Sequence, residues 1–158
     1  MSPDEEPQDN AGVIALPPLI FALPLLAGLA LNRLAPVALV PAALARALGW
    51  PLLGAGVSLM AWFVATLNRA GTAIDVREPV TRLVTHGPFR RTRNPAYLGM
   101  TLIYSGVTLV ANALWAALLL PLVLLVMRRG VIDREERYLE RRFGDEYRGY
   151  RSRVRRWL

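Results

Sequence analysis

Between Asn94 and Met127 the chain runs for 34 residues without a charge. No other feature constrains the fold as much. A single straight α-helix of that length would measure about 51 Å, whereas the hydrocarbon core of a bilayer is about 30 Å thick. The run therefore predicts a helical hairpin over 96–127 with its turn near Asn112. Arms of about 16 residues each would sit thin or tilted in the bilayer.

The first half of the chain carries the same signature. From Gly12 to Leu67 the only charges are Arg33 and Arg46. Residues 11–32 are uncharged and meet the roughly 20 residues that a span needs. Pro17 and Pro18 fit the start of that helix, where a missing N–H costs little, and Pro24 inside it predicts a kink. Residues 34–45, with Pro36 and Pro41, are too short to cross and read as a loop or re-entrant piece. Ala47–Asn68 is the second span. Gly54 and Gly56 in it would allow close helix approach, and Trp50 and Trp62 suit interfacial anchors. Hydrophobic residues make up 54% of the chain, above the roughly 45–50% of soluble domains.

The expected fold is therefore all-α, a multi-pass membrane protein with about four transmembrane helices and cytosolic C-terminal helices. It forms a single domain. Residues 1–12 are a polar tail, 13–68 hold two N-terminal spans, 69–95 form a polar loop, 96–127 form the hairpin, and 128–158 form a basic tail. The acids Asp4, Glu5, Glu6 and Asp9 stand where a signal peptide would carry positive charge, so the start reads as a disordered or surface-lying tail.

All nineteen basic residues are arginine. The 69–95 loop holds six of them and the segment from Arg128 onward eleven. The positive-inside rule places both regions, and the N-terminus, in the cytoplasm. The expected location is the cell membrane, with the active site on its cytoplasmic face. Basic residues flanking spans, with no groove-reading motif, argue against nucleic acid as a partner. The absence of cysteine excludes disulfides, thiolate nucleophiles and Cys-ligated metals, and no metal site is expected.

Two polar clusters meet on that side. The first runs from Thr85 through His86-Gly87-Pro88-Phe89-Arg90-Arg91-Thr92-Arg93-Asn94-Pro95-Ala96-Tyr97-Leu98 to Gly99. Gly-Pro marks a turn, and Pro95 suits the first position of the third span. A helix start offers free N–H groups to an anion. Arg90, Arg91 and Arg93 add cationic donors, and Tyr97 offers a π-face to a cation. The second cluster is Asp133-Arg134-Glu135-Glu136-Arg137-Tyr138-Leu139, followed by Phe143-Gly144-Asp145-Glu146-Tyr147-Arg148-Gly149-Tyr150. Arg128 and Arg129 end the last span. Val131–Phe143 then reads as an amphipathic helix with Ile132, Glu135, Glu136, Leu139 and Phe143 at helical spacing. Gly144 stops it, and Asp145 caps a short second helix. Singly these residues fit bland roles: topology signals, a structural histidine, an interfacial tyrosine, a solvated helix face. Jointly they supply acceptors for an ammonium and donors for a carboxylate. S-adenosylmethionine is compatible with that set, and the residues alone do not single it out.

The ordered set resembles the family of isoprenylcysteine carboxyl methyltransferases and related phospholipid methyltransferases. The family pattern is His-Gly-Pro-aromatic-Arg, then Arg-(His or Asn)-Pro-x-Tyr-x-Gly, a helical hairpin, Glu-Glu-x-x-Leu and Phe-Gly-x-x-Tyr-x-x-Tyr. It falls here on His86–Arg90, Arg93–Gly99, Glu135–Leu139 and Phe143–Tyr150, and covers about residues 80–158. The resemblance implies methyl transfer from S-adenosylmethionine to a lipophilic or amphipathic small molecule that enters from the membrane lipids. It implies a cofactor pocket of His86, Gly87, Pro88, Arg93, Asn94, Pro95, Tyr97, Leu98, Gly99, Glu135 and Glu136. Arg134 and Glu135 carry the catalytic assignment, with Arg134 orienting the acceptor. Asn94 stands where the eukaryotic members carry His, and Asn cannot act as a base. A carboxylate acceptor needs none, whereas an amine must first lose a proton, which would fall to His86 or a carboxylate such as Glu135. The favoured acceptor is therefore a carboxylate, with phospholipid amine N-methylation as the alternative. A non-enzymatic transporter or assembly module is the reading of another class. The uncharged spans argue against ion transport.

Overall fold

The computed structural model describes residues 12–72 and 80–158. The expected N-terminal tail up to residue 11, and residues 73–79 of the polar loop, lie outside the described residues. Among those described, all regular structure is helical: α1 (Pro17–Leu34), α2 (Ala42–Ala70), a 3-10 turn (Gly87–Arg90), α3 (Pro95–Val110), α4 (Leu114–Met127), a π turn (Arg128–Ile132) and α5 (Asp133–Arg153). Three helices are long and apolar enough to cross a membrane: α1, α2 and the continuous stretch Leu114–Arg153; α3, at 16 residues, is a shorter apolar helix.

Local sequence sets most of the boundaries. Pro17 and Pro18 open α1, and Pro95 opens α3. Gly71 ends α2 in the left-handed conformation at φ 63°, which costs glycine nothing. Asn112 turns the hairpin at φ 50°, at the position its sequence suggests. Two expectations need correction. The second span begins at Ala42, five residues before Ala47, because Pro41 serves as the N-cap of α2 and the helix carries Arg46 within it. Arg128 and Arg129 end the apolar stretch but not the helix. The chain passes through the π turn into α5 with Gly130, Val131 and Ile132 buried. One extra residue in such a turn rotates the following face by about 100°, which sets where the face carrying Glu135 and Glu136 points. Gly144, at φ 52° and ψ −121°, interrupts α5. Asp145 takes the Arg148 guanidinium at 2.7 Å.

The hairpin arms divide their partners, α3 lying chiefly against α2 and α4 against α1. Glycine makes both seams possible. A side chain at Gly49 or Gly56 of α2 would strike α3 at Val110 or Ile103, and one at Gly106 of α3 would strike the backbone of Leu53. Gly28 of α1 faces the backbone of Ala116 on α4 in the same way. Gly54, expected beside Gly56, has nothing near it and sits on the exposed face. Without a hydrophobic force between helices in lipid, such close backbone approach supplies the packing energy. Phe21 of α1 meets Tyr104 of α3 edge-on at 6.4 Å. The Tyr104 hydroxyl donates to the Ala116 carbonyl at 2.8 Å, tying α3 to α4.

One end of the bundle is closed by Asn112. Its side-chain oxygen accepts from the Leu39 and Val40 amides at 2.9 and 3.1 Å, and its amide donates to the Val40 carbonyl at 2.8 Å. Trp115 donates to the Ala35 carbonyl at 2.8 Å. The α1–α2 loop and the hairpin turn therefore share one end. The 80–94 segment and α5 share the other.

Candidate active site

At that other end lies a cavity of about 510 Å³, within the roughly 300–1,000 Å³ typical of small-molecule sites. Its walls come from five parts of the chain. The start of α1 gives Leu16, Pro17 and Pro18, and α2 gives Met60, Phe63, Val64 and Leu67. Val80, Arg82, Leu83, Val84, Phe89, Arg93 and Asn94 come from the polar loop, Pro95, Ala96, Tyr97 and Met100 from the start of α3, and Glu135, Glu136, Tyr138, Leu139, Tyr147 and Tyr150 from α5. One side is therefore apolar and the other carries charge. Phe63 and Phe89 meet on the apolar side with their rings tilted by 50° and their centroids 5.8 Å apart.

The two acids of the Glu-Glu pair have different partners. Glu136 is engaged with arginines. Arg156 reaches it with Nε at 3.1 Å and Nη2 at 2.7 Å, and Arg93 Nη1 stands 3.2 Å away. Glu135 instead accepts from the Tyr97 hydroxyl at 2.7 Å, and no arginine pairs with it among the described residues. Glu135 lies beyond the apolar stretch of its helix, and its pKa is pushed up to about 7. Burial is the largest cause; the Tyr97 hydrogen bond works in the opposite direction, and the neighbouring Glu136 charge adds to the rise.

Arg93 is the complementary group. Its side chain is 12% exposed; Nη1 stands in ion-pair range of Glu136 and the guanidinium also acts on the Tyr147 hydroxyl, while Nε makes no hydrogen bond among the described residues. Buried donors are ordinarily satisfied, so a guanidinium left this way beside a cavity fits an anionic group. A molecule carrying both an anion and a cation thus meets Arg93 and Glu135 in one cavity.

The sequence-predicted residues separate into two groups. Arg93, Asn94, Pro95, Tyr97, Glu135 and Glu136 all line the cavity. His86, Gly87, Pro88, Leu98, Gly99 and Arg134 do not. His86 is exposed and precedes the 3-10 turn. Gly87 packs against Thr66 of α2 at φ 62°, and Pro88 is buried beside it. That turn holds the loop on α2 and leaves Phe89 to face the cavity. Gly99 is spent on the α2 seam, facing Met60 and Gly56, and Leu98 hydrogen-bonds within the helix to Asn94. Arg134 donates to the Gly12 carbonyl at 2.7 Å, away from the cavity. Arg90 and Arg91 are exposed; only Arg93 turns inward. Asn94 does not cap α3 with its side chain and donates instead to the Arg156 carbonyl at 3.0 Å.

Several site residues were not singled out from the sequence. Met60, Phe63, Val64 and Leu67 recur at helical spacing on α2, a signal that was present but indistinguishable from ordinary span residues. Tyr147 and Tyr150 belong to the second motif, and the Tyr150 hydroxyl donates to the Phe89 carbonyl at 2.7 Å. Arg156 carried no signal: its acidic partner lies twenty residues away.

A family model for phospholipid methyltransferases matches residues 44–146. A protein of Haemophilus influenzae described as uncharacterized is 47% identical over 62 residues, which is 39% of this chain and 98% of that protein's length. No solved structure matches the chain.

Proposed function

The chain belongs to the phospholipid methyltransferase family, and from that premise we propose that it transfers a methyl group from S-adenosylmethionine to a lipophilic acceptor at the cytoplasmic face of a membrane. The observation that carries this reading is the presence in one cavity of an Arg93 whose Nε makes no hydrogen bond and a Glu135 that, among the described residues, is bound only by Tyr97. Arg93 would hold the carboxylate of the methyl donor and Glu135 its ammonium. The apolar wall of Met60, Phe63, Leu67 and Phe89 would take the lipophilic part of the acceptor. When bound, S-adenosylmethionine supplies a methyl group on a sulfonium whose sulfur leaves as a neutral thioether.

The favoured acceptor is a carboxylate. Its oxygen forms the bond to the methyl carbon as the carbon–sulfur bond breaks, giving a methyl ester, and no proton has to leave. A cation and an anion disappear together in that step. An apolar cavity that strips water from both therefore favours it. His86, the only histidine, is exposed and does not line the cavity, which supports an acceptor that needs no base. One observation favours an amine acceptor as a second reading: Glu135 titrates near 7, where a carboxylate can take a proton at physiological pH. The role of Arg134 in orienting the acceptor rests on family resemblance alone.

The test uses purified protein in lipid nanodiscs with methyl-labelled S-adenosylmethionine and a panel of prenylated or acylated carboxylates and of phospholipid amines. Base-labile label in the carboxylate set is the expected result. Base-stable label in the amines alone overturns the carboxylate reading, and no transfer to either overturns the enzymatic one.

A further inference from the structure

Arg155 and Arg156 fold back onto the turn that precedes α3. The Arg93 amide donates to the Arg155 carbonyl at 3.0 Å, and Thr92 Oγ1 and Asn94 Nδ2 both donate to the Arg156 carbonyl at 3.0 Å. The Arg156 side chain turns the opposite way, onto Glu136 and, at 3.0 Å, onto Asp133. One residue thus binds the turn that presents Arg93 through its backbone and the acids of α5 through its guanidinium.

We propose that Arg156 is a positioning residue of the donor site, which keeps Arg93 available by occupying Glu136. The inference rests on the proposed reading of the cavity as the methyl donor's site. Glu136 is the nearest carboxylate to Arg93, with Nη1 at 3.2 Å, and both side chains are 12% exposed. Left alone in so little water, the two would close into a bidentate pair, the favoured geometry for arginine and carboxylate. Arg156 already holds both Glu136 oxygens. The Glu136 charge is therefore held mainly by the tail; Arg93 meets it through Nη1 alone, and its Nε makes no hydrogen bond. The guanidinium of a C-terminal strap thereby sets the free valence of a residue on α3's doorstep.

This role differs from that of a simple staple. A staple lost with the Arg156 side chain stays lost whatever happens at Glu136. A charge partner becomes dispensable once the charge it answers is removed. Calorimetric titration of S-adenosylmethionine into the detergent-purified full chain distinguishes the two. Arg156→Ala should weaken binding about tenfold or more, the scale of a charge-assisted hydrogen bond. Adding Glu136→Gln to Arg156→Ala should restore affinity to within about threefold of wild type, since Arg93 is then no longer claimed. Wild-type affinity in Arg156→Ala, or a double variant as weak as the single one, overturns the proposal. If Arg156→Ala alone does not fold, the double variant decides: recovery within threefold supports the role and a tenfold loss refutes it. Failure of the wild type to bind removes the donor-site reading and this role with it.

Discussion

The two ends of the bundle use polar residues in opposite ways. At the hairpin end Asn112 spends its side-chain donor and acceptor on the backbone of Leu39 and Val40. At the cavity end Arg93 keeps Nε without a hydrogen bond and meets Glu136 through Nη1 alone, and the pKa of Glu135 is pushed up to about 7. A satisfied polar group fixes a shape, whereas an unsatisfied one waits for a ligand. The difference teaches that burial and polarity do not by themselves mark a functional site. An unbonded charged donor does: among the described residues it lies at the cavity end, whereas near the hairpin turn only the neutral Thr108 hydroxyl is left unbonded.

The sharpest way to break this contrast is to remove the unfilled group. Arg93→Gln should weaken S-adenosylmethionine binding ten- to a hundredfold, since a charge-assisted hydrogen bond contributes about 1.5–3 kcal/mol. Glu136 keeps Arg156 as its partner in this variant, so thermal stability should change far less than affinity. A binding curve like that of wild type would mean that Arg93 is only a structural cation.

Protonation gives the next effect. Glu135 must be ionised to hold an ammonium, and its pKa lies near 7 in the ligand-free protein. Affinity should therefore fall by up to tenfold per unit below pH 7, a fall that Glu135→Gln abolishes. The stability sign runs the other way. A carboxyl whose pKa is higher folded than unfolded binds more protons when folded, so its ionisation costs stability as pH rises from about 4.5 through 7. Glu135→Gln should then raise the melting temperature at pH 8 and leave it nearly unchanged at pH 5. A pH-independent affinity, checked by calorimetry across pH 5.5–8.5, would contradict the assignment.

The hairpin end should answer in the opposite currency. Asn112→Gly keeps the positive φ and deletes the side chain, orphaning the Leu39 and Val40 groups. The cost is about 1–3 kcal/mol for partly buried groups, read as a lower melting temperature with S-adenosylmethionine affinity unchanged. A large loss of affinity would show the two ends to be coupled.

How much of this was legible beforehand follows from the range over which each signal acts. The hairpin turn was readable because an uncharged run too long for one span must reverse, and Asn112 tolerates the conformation a reversal needs. The break at Gly144 was readable for the same local reason. The continuity from α4 into α5 was not. Two arginines end a stretch that lipid accepts, but they are good helix formers and nothing in them stops a helix. The motif around Asn94 runs along one wall of the cavity and mixes two jobs. Gly87 and Gly99 serve packing on α2, while Arg93 and Tyr97 face the cavity. Spacing alone cannot separate a glycine that admits a ligand from one that admits a helix. Arg156 was invisible because an ion pair across twenty residues leaves no local pattern.

The smallest expected effect concerns His86, the residue that an amine acceptor could have used as its base. His86 is exposed and outside the cavity, so His86→Gln should hold turnover and donor affinity within about threefold. A general base would instead cost roughly 10²–10⁴-fold in turnover. A hundredfold fall in kcat at unchanged affinity would return the histidine to the site and favour an amine acceptor.

The central claim is that the cavity between Arg93 and Glu135 receives a zwitterionic methyl donor. Isothermal titration of S-adenosylmethionine into the full chain and into Glu135→Gln, at pH 8 in the same detergent, tests it most directly. The account predicts saturable binding at one site per chain, weakened about tenfold or more by the single loss of the Glu135 charge. Equal binding by both proteins, or none by the wild type, would contradict it.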